Sequence, residues 1–183
     1  MLLQRLFAAP PTLATGRALY AAAAGQARRP EFYRDLGAAD TVEGRFELYS
    51  LHVALLLIRL KGQGPIAAET AQHLFDAYVR GLDDALRDMG VSDVKVGAKM
   101  KTLGQAFYGR LKSYEDAIEA LPASAGELEA LLRRTVLEER QGCSVTPLAS
   151  YVARAVEDLK RQPLEGLLEG RATWPQPLEP THG

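Results

Sequence analysis

Six ionisable residues recur at seven-residue intervals in two neighbouring segments: Arg45, His52, Arg59, Glu69, Asp76 and Asp83. Seven residues are close to two helical turns, so each set of three forms a narrow stripe on one helix. If the two helices form an antiparallel hairpin, the stripes can face each other in reverse order, Arg45 opposite Asp83. A local alternative stays open, in which Asp76 pairs with Arg80 and Asp83 pairs with Arg87 on a solvated face, for about 0.3–0.5 kcal/mol each.

Catalytic chemistry has little support in the sequence. His52 could act as a general base, but no serine, cysteine or paired carboxylate is placed beside it, so we expect a hydrogen-bonded core histidine. Cys143 is the single cysteine, and it follows Gly142 in a turn between helices. The three histidines lack the spacing of metal ligands, and no phosphate-binding or HExxH motif is present. We therefore predict no enzyme activity, no metal and no cofactor.

Composition excludes several classes of partner. The net charge of the 183-residue chain is -1, which provides no general attraction for DNA or anionic lipid. The longest apolar run, residues 53–58, is far shorter than the roughly 20 residues that span a bilayer. We expect a soluble cytoplasmic protein that is at most peripheral to the inner face of a membrane.

Helical periodicity, glycines and prolines predict an all-α bundle of about seven to eight helices with a central antiparallel helical hairpin. The turn of the hairpin contains Gly62, Gly64 and Pro65. Residues 1–170 are predicted to form one helical domain, and residues 171–183 a proline-rich disordered tail in which Trp174 could dock. The predicted helices are residues 10–25, 31–36, 43–61, 67–89, 94–120, 125–139, 146–160 and 163–169.

The helix predicted over residues 94–120 has an apolar stripe, a basic first part and three internal glycines. Each glycine costs about 1 kcal/mol relative to alanine, and Gly97 and Gly104 share one face, which suggests close approach of another helix from this chain or from a partner. Arg110 falls beside the apolar stripe, where a guanidinium needs a polar partner. Both a structural ion pair and a contact with a binding partner remain open for Arg110.

Four ordered strings give the chain a family resemblance: Gly44-Arg45-Phe46-Glu47, Leu51-His52, residues 86–93 (LRDMGVSD) and Tyr108-Gly109-Arg110. Together with earlier strings, they cover about residues 15–120 and resemble the ubiquinol–cytochrome c chaperone family, in its bacterial branch. The resemblance implies a non-enzymatic chaperone that binds newly made cytochrome b and promotes assembly of ubiquinol–cytochrome c reductase. It also implies a small helical partner protein or the ribosome as further partners.

A chaperone for apolar helices needs an apolar groove and a contact face. Plausible groove residues are Tyr49, Phe75, Tyr78, Phe107 and Tyr108. Candidate partner-binding residues, from the matched strings, are Arg45, Asp83, Arg87, Asp93, Lys99, Lys101, Tyr108 and Arg110. The alternative function is a helical scaffold or adaptor that bridges other assembly factors without binding the client.

Overall fold

Prolines and glycines set most of the helix boundaries. The structure is a computed structural model that describes residues 10–139 and 142–177. Within these residues the chain forms eight helices and no strand, which confirms the predicted all-α class. They are α1 Pro11–Ala27, α2 Pro30–Arg34, α3 Val42–Leu60, α4 Pro65–Asp88, α5 Asp93–Glu119, α6 Ala125–Arg134, α7 Thr146–Arg161 and α8 Leu164–Leu168.

Helix α3 is the centre of the bundle because its sequence is apolar on nearly every side. It begins at an N-cap, where the Thr41 hydroxyl accepts a hydrogen bond from the Gly44 amide at 2.9 Å. It then packs against α1, α4, α5 and α7. Leu48, Leu51 and Leu56 have no solvent exposure. Four other helices therefore pack against α3 and are positioned by it.

The predicted central hairpin is formed by α3 and α4. Gly62 and Gly64 in the connecting turn have φ angles of 73° and 93°, which favour glycine. Pro65 occupies the first turn of α4, where a missing amide proton is tolerated. On its other side α4 crosses α1 closely, since a Cβ on Gly16 would lie 2.6 Å from the His73 Cβ.

The second hairpin, between α4 and α5, is much less buried. Helix α5 has 27 residues and is about 40 Å long. From residue 82 to residue 106, which we call the arm, only Leu86 and Val96 are buried. Neither belongs to the main hydrophobic core, and the half-buried Met100 and Leu103 do not pack against it either. The arm therefore carries a small apolar surface of its own.

Helix α6 is shorter than predicted, because the chain leaves the helix at Thr135 instead of continuing to residue 139. The Thr135 hydroxyl donates to the Leu131 carbonyl at 2.8 Å, and residues 135–139 form turns. Val136 and Leu137 are fully buried there, and the Val136 carbonyl accepts a hydrogen bond from the Ala39 amide. Burial of these two side chains and this contact outweigh continuation of the helix.

Residues 171–177 differ from the expectation of a disordered tail. The Trp174 ring meets the His52 ring at 5.0 Å in an edge-to-face arrangement. The Gln26 amide donates to the Pro175 carbonyl at 3.1 Å, and the Gln162 side chain bonds to both the amide and the carbonyl of Thr173. The rest of the predicted tail, residues 178–183, lies outside the described residues.

Candidate partner-binding surfaces

His52 is a core residue, as the sequence favoured. Its Nδ1 donates to the Leu48 carbonyl at 2.8 Å, which leaves Nε2 to accept the Tyr151 hydroxyl at 2.8 Å. The side chain is fully buried, and this desolvation lowers the pKa of His52 to about 4, so the ring is neutral near pH 7. Both nitrogens are engaged and solvent cannot reach them, so the geometry gives His52 no access to a substrate.

The predicted ion pairs across the central hairpin do not form. Arg45 pairs with Asp40 in the preceding loop at 2.7 Å and lies over the Tyr33 ring. Arg59 donates to the carbonyls of Leu159, at 2.8 Å, and Gln162, at 3.1 Å, at the end of α7. This prediction is wrong because α3 has several neighbours: Arg45 contacts the preceding loop, and His52 and Arg59 bond to residues of α7 or to the residue just after it.

Arg110 is the half-buried cation that the sequence predicted, and its partner is within the chain. The guanidinium makes three hydrogen bonds of 2.9–3.1 Å to the two carboxylate oxygens of Glu47 on α3. Glu47 is only 8% exposed, and the bond to it raises the pKa of Arg110. Arg110 therefore joins α5 to α3 and is largely unavailable to a partner.

The remaining charged candidates lie on the arm. Arg87 pairs with Asp83 at 2.7 Å, which confirms the local alternative for this pair, and also with Asp93 at the start of α5. The other local ion pair does not form, since Arg80 donates to the backbone carbonyl of Asp76 at 3.3 Å and not to its carboxylate. Lys99 and Lys101 are exposed, and neither forms an ion pair with any carboxylate in the described part of the chain. On the arm, Arg87 is therefore paired within the chain, whereas Lys99 and Lys101 have no ion pair among the described residues.

A groove of about 420 Å³ opens between α4 and α5 and reaches the end of α3. Phe75 lies 5.5 Å from both the Phe107 and Tyr108 rings, and Tyr108 is 60% exposed. The ion pair between Lys61 and Glu115 closes one part of the rim. The groove residues are Leu57, Ile58, Leu60, Lys61, Gly62, Ala68, Ala71, Gln72, Phe75, Phe107, Tyr108, Leu111 and Glu115.

Three of the five aromatic residues predicted for a groove line this one. Tyr78 is buried beneath it, with its ring 4.7 Å from Phe107, and its hydroxyl bonds to Ser50. Tyr49 lies elsewhere, under the Arg28 guanidinium at 5.5 Å. The sequence did not identify the aliphatic wall from α3, Leu57 and Ile58, because a helix apolar on all sides gives no signal for which side stays open.

The sequence model of the ubiquinol-cytochrome C chaperone family matches residues 34–174. The chain belongs to the ubiquinol–cytochrome c chaperone family. The match begins later than the strings recognised in the sequence and extends beyond them, through Trp174. It therefore includes the groove, the arm and the contact between Trp174 and His52.

Two relatives agree with this membership. A crystal structure of the Cbp3 homolog from Brucella abortus is 30% identical and superposes with a TM-score of 0.81, covering 91% of each chain. Ubiquinol-cytochrome-c reductase complex assembly factor 1 from Xenopus laevis is 24% identical over 149 residues, which are 79% of this chain and 72% of the relative. The helical fold and the family are thus supported by both sequence and structure.

Proposed function

We propose that this chaperone binds newly made cytochrome b and promotes assembly of ubiquinol–cytochrome c reductase, without catalysing a reaction. The groove between α4 and α5 is the observation that carries this proposal. Its wall is mainly aromatic and aliphatic, it opens to solvent, and Tyr108 stands at its edge with most of its ring exposed. An open apolar groove suits an apolar helix laid along it.

The size of the groove sets how much of a client it can cover. A membrane-spanning helix of about 20 residues is about 30 Å long, whereas a cleft of about 420 Å³ accommodates only a few of its side chains. The groove would therefore shield a short apolar stretch and release it easily. Weak, reversible contact of this kind suits a factor that hands its client to an assembling complex.

The place of action follows from the client. No helix in residues 10–139 and 142–177 is long and apolar enough to cross a membrane. We propose that the protein acts in the cytoplasm, at most peripheral to the inner-membrane face where cytochrome b is inserted. The proposal requires neither a cofactor nor DNA. It is compatible with a small partner protein or the ribosome as further partners.

Site-specific photo-cross-linking tests the proposal. A photoreactive phenylalanine analogue replaces Tyr108 in one strain, and in a control strain it replaces Glu157, an exposed residue of α7 that does not line the groove. Cross-links to cytochrome b from position 108 alone are expected. Cross-links from position 108 only to other assembly factors would instead favour the scaffold function, and equal cross-linking from both positions would exclude the groove as the client site.

A further inference from the structure

The groove between α4 and α5 changes character along its length. The rings of Phe75 and Tyr108 lie 5.5 Å apart at one end, which we call the aromatic end. Seven residues away along each helix, about 10 Å, Ala68 of α4 and Glu115 of α5 line the other end together with Lys61. We call this second region the charged end, because the ion pair between Lys61 and Glu115 lies there.

The groove is lined by one stripe from each helix, whose members are three and four residues apart and therefore share a face. A single helix laid along the groove can thus contact both ends at once. Its residue beside Tyr108 and its residue beside Glu115 would be about seven positions apart, which is two helical turns. The stripes are Ala68, Ala71 and Phe75 on α4, and Tyr108, Leu111 and Glu115 on α5.

Glu115 is the fixed charge at the charged end. Its side chain is only 17% exposed, whereas the side chain of its partner Lys61 is 68% exposed. Lys61 donates to one carboxylate oxygen, Oε1, and the other oxygen, Oε2, accepts no hydrogen bond within residues 10–139 and 142–177. Glu115 can therefore accept a second cation, and the flexible, exposed Lys61 side chain can move aside for it.

The surrounding charge favours a cation over an anion. Of the three helices that line the groove, α3 and α5 end at the charged end and only α4 begins there, so the helix dipoles add net negative potential. The last turn of α5 contains no basic residue. In residues 61–72 and 111–119, carboxylates outnumber lysines by four to two. These side chains are Lys61, Glu69, Lys112, Glu115, Asp116 and Glu119.

We propose that the groove binds an apolar helix that has a lysine or arginine at one end, and that Glu115 recognises this cation. This inference rests on the proposed function and specifies which part of the client is bound. Cytoplasmic loops of membrane proteins carry an excess of lysine and arginine, so the segment is the cytoplasmic end of a membrane-spanning helix. Its apolar side chains would cover Phe75, Tyr108 and Leu111, and its cation would pair with Oε2 of Glu115.

The test uses the full chain and three synthetic helical peptides with the same leucine stripe. They differ only in the residue two turns after the first leucine, which is lysine, glutamine or glutamate. In fluorescence anisotropy the lysine peptide should bind about fivefold more tightly than the glutamine peptide, as expected for one ion pair that the docked helix partly covers. The glutamate peptide should bind most weakly.

Two substitutions at the charged end should have different effects. Glu115→Gln should remove the preference for the lysine peptide, whereas Lys61→Ala should retain or increase it, because a competing cation is lost. Glu157→Gln and Lys160→Ala are matched controls, since these residues form an exposed ion pair on α7 outside the groove; both should leave all three affinities unchanged. Circular dichroism of each variant establishes that the fold is retained.

Several results would overturn the inference. One is equal affinity for the lysine and glutamine peptides, and another is a preference that survives Glu115→Gln or is lost equally in the control variants. Preferential binding of the glutamate peptide, weakened by Lys61→Ala, would assign recognition to Lys61 instead. Self-association of the chain that Tyr108→Glu abolishes, without peptide binding, would place a second copy of the chain in the groove.

Failure of this inference is distinguishable from failure of the proposed function. If all three peptides bind equally and Tyr108→Glu abolishes their binding, recognition by Glu115 is excluded while the groove remains a site for apolar helices. Failure of every peptide to bind also overturns the inference, and cross-linking from position 108 to cytochrome b then decides the proposed function independently.

Discussion

Replacing Gly97 and Gly104 together by alanine should stabilise the protein. Both residues lie inside α5, and a Cβ at either position meets no atom within 4 Å from any other part of residues 10–139 and 142–177. The substitution therefore introduces no clash, and it removes the extra conformational entropy that glycine loses when a helix forms. Each change in an exposed helix interior contributes about 0.8–1 kcal/mol, so the pair should raise the free energy of unfolding by about 2 kcal/mol.

Urea and thermal denaturation measure this gain. For a chain of this size, 1 kcal/mol shifts Tm by about 2–4 °C, so the double variant should unfold about 4–8 °C higher than the wild type. The matched control is Gly16→Ala, where the added Cβ would lie 2.6 Å from both the His73 Cβ and the Leu74 amide nitrogen. Crowding of this kind should lower stability by about 1–3 kcal/mol.

The two outcomes separate two explanations for these glycines. A stabilised double variant means that the isolated fold gains no stability from glycine at positions 97 and 104. An unchanged or lowered Tm would refute this reasoning, because it would show that the fold itself needs glycine at these positions.

Three further predictions concern the core. Glu47→Gln leaves Arg110 without its carboxylate and should lower stability by about 2 kcal/mol in urea denaturation, less than for a fully buried pair because Arg110 is 31% exposed; an unchanged midpoint would contradict this. The pKa of His52 falls from 6.5 to about 4 on folding, so the contribution of the neutral ring to the free energy of unfolding is complete above pH 6.5. It should decline by about 3 kcal/mol as the pH falls toward 4, and a His52→Gln variant should lack this part of the acid slope. Trp174→Ala removes the ring that packs on His52 and should lower stability by about 2 kcal/mol in thermal unfolding; no loss would mean that residues 171–177 do not dock in solution.

The helices could be predicted because local signals determine them. Helix α4 begins just after Gly64, with Pro65 in its first turn, and Thr41 caps the N-terminus of α3. The predicted length of α6 exceeds the observed length because the apolar periodicity of its sequence continues past Arg134. The burial of Val136 outside the helix depends on a contact with Ala39, which is distant in sequence. Local periodicity carries no information about such a contact.

Pairing between helices was the less predictable part. The seven-residue stripes suggested that Arg59 faces α4, but that inference treats two helices as if they were alone. In the fold, α7 provides backbone carbonyls to Arg59 and a tyrosine hydroxyl to His52. For Arg110 the need for a partner could be predicted from its position beside the apolar stripe. The identity of Glu47, 63 residues away, could not.

The groove shows the same limit. Phe75, Phe107 and Tyr108 were predicted as groove residues because they are aromatic and lie in family-like strings or next to them. Whether an aromatic ring is buried or exposed depends on which helices cover it. Tyr78 and Tyr108 therefore have opposite exposures, although both were given the same role.

The most direct test of the proposed function is the absorption spectrum of b-type haem in membranes from a strain that lacks this gene. Complementation uses either the wild-type gene or one that encodes Tyr108→Glu, which places a charge at the mouth of the groove. We predict selective loss of the cytochrome b signal of ubiquinol–cytochrome c reductase, with other respiratory complexes unchanged, and restoration by the wild-type gene but not by a stably folded Tyr108→Glu protein. A normal spectrum in the deletion strain would contradict a required role in cytochrome b assembly, and full restoration by the variant would contradict the groove as the client site.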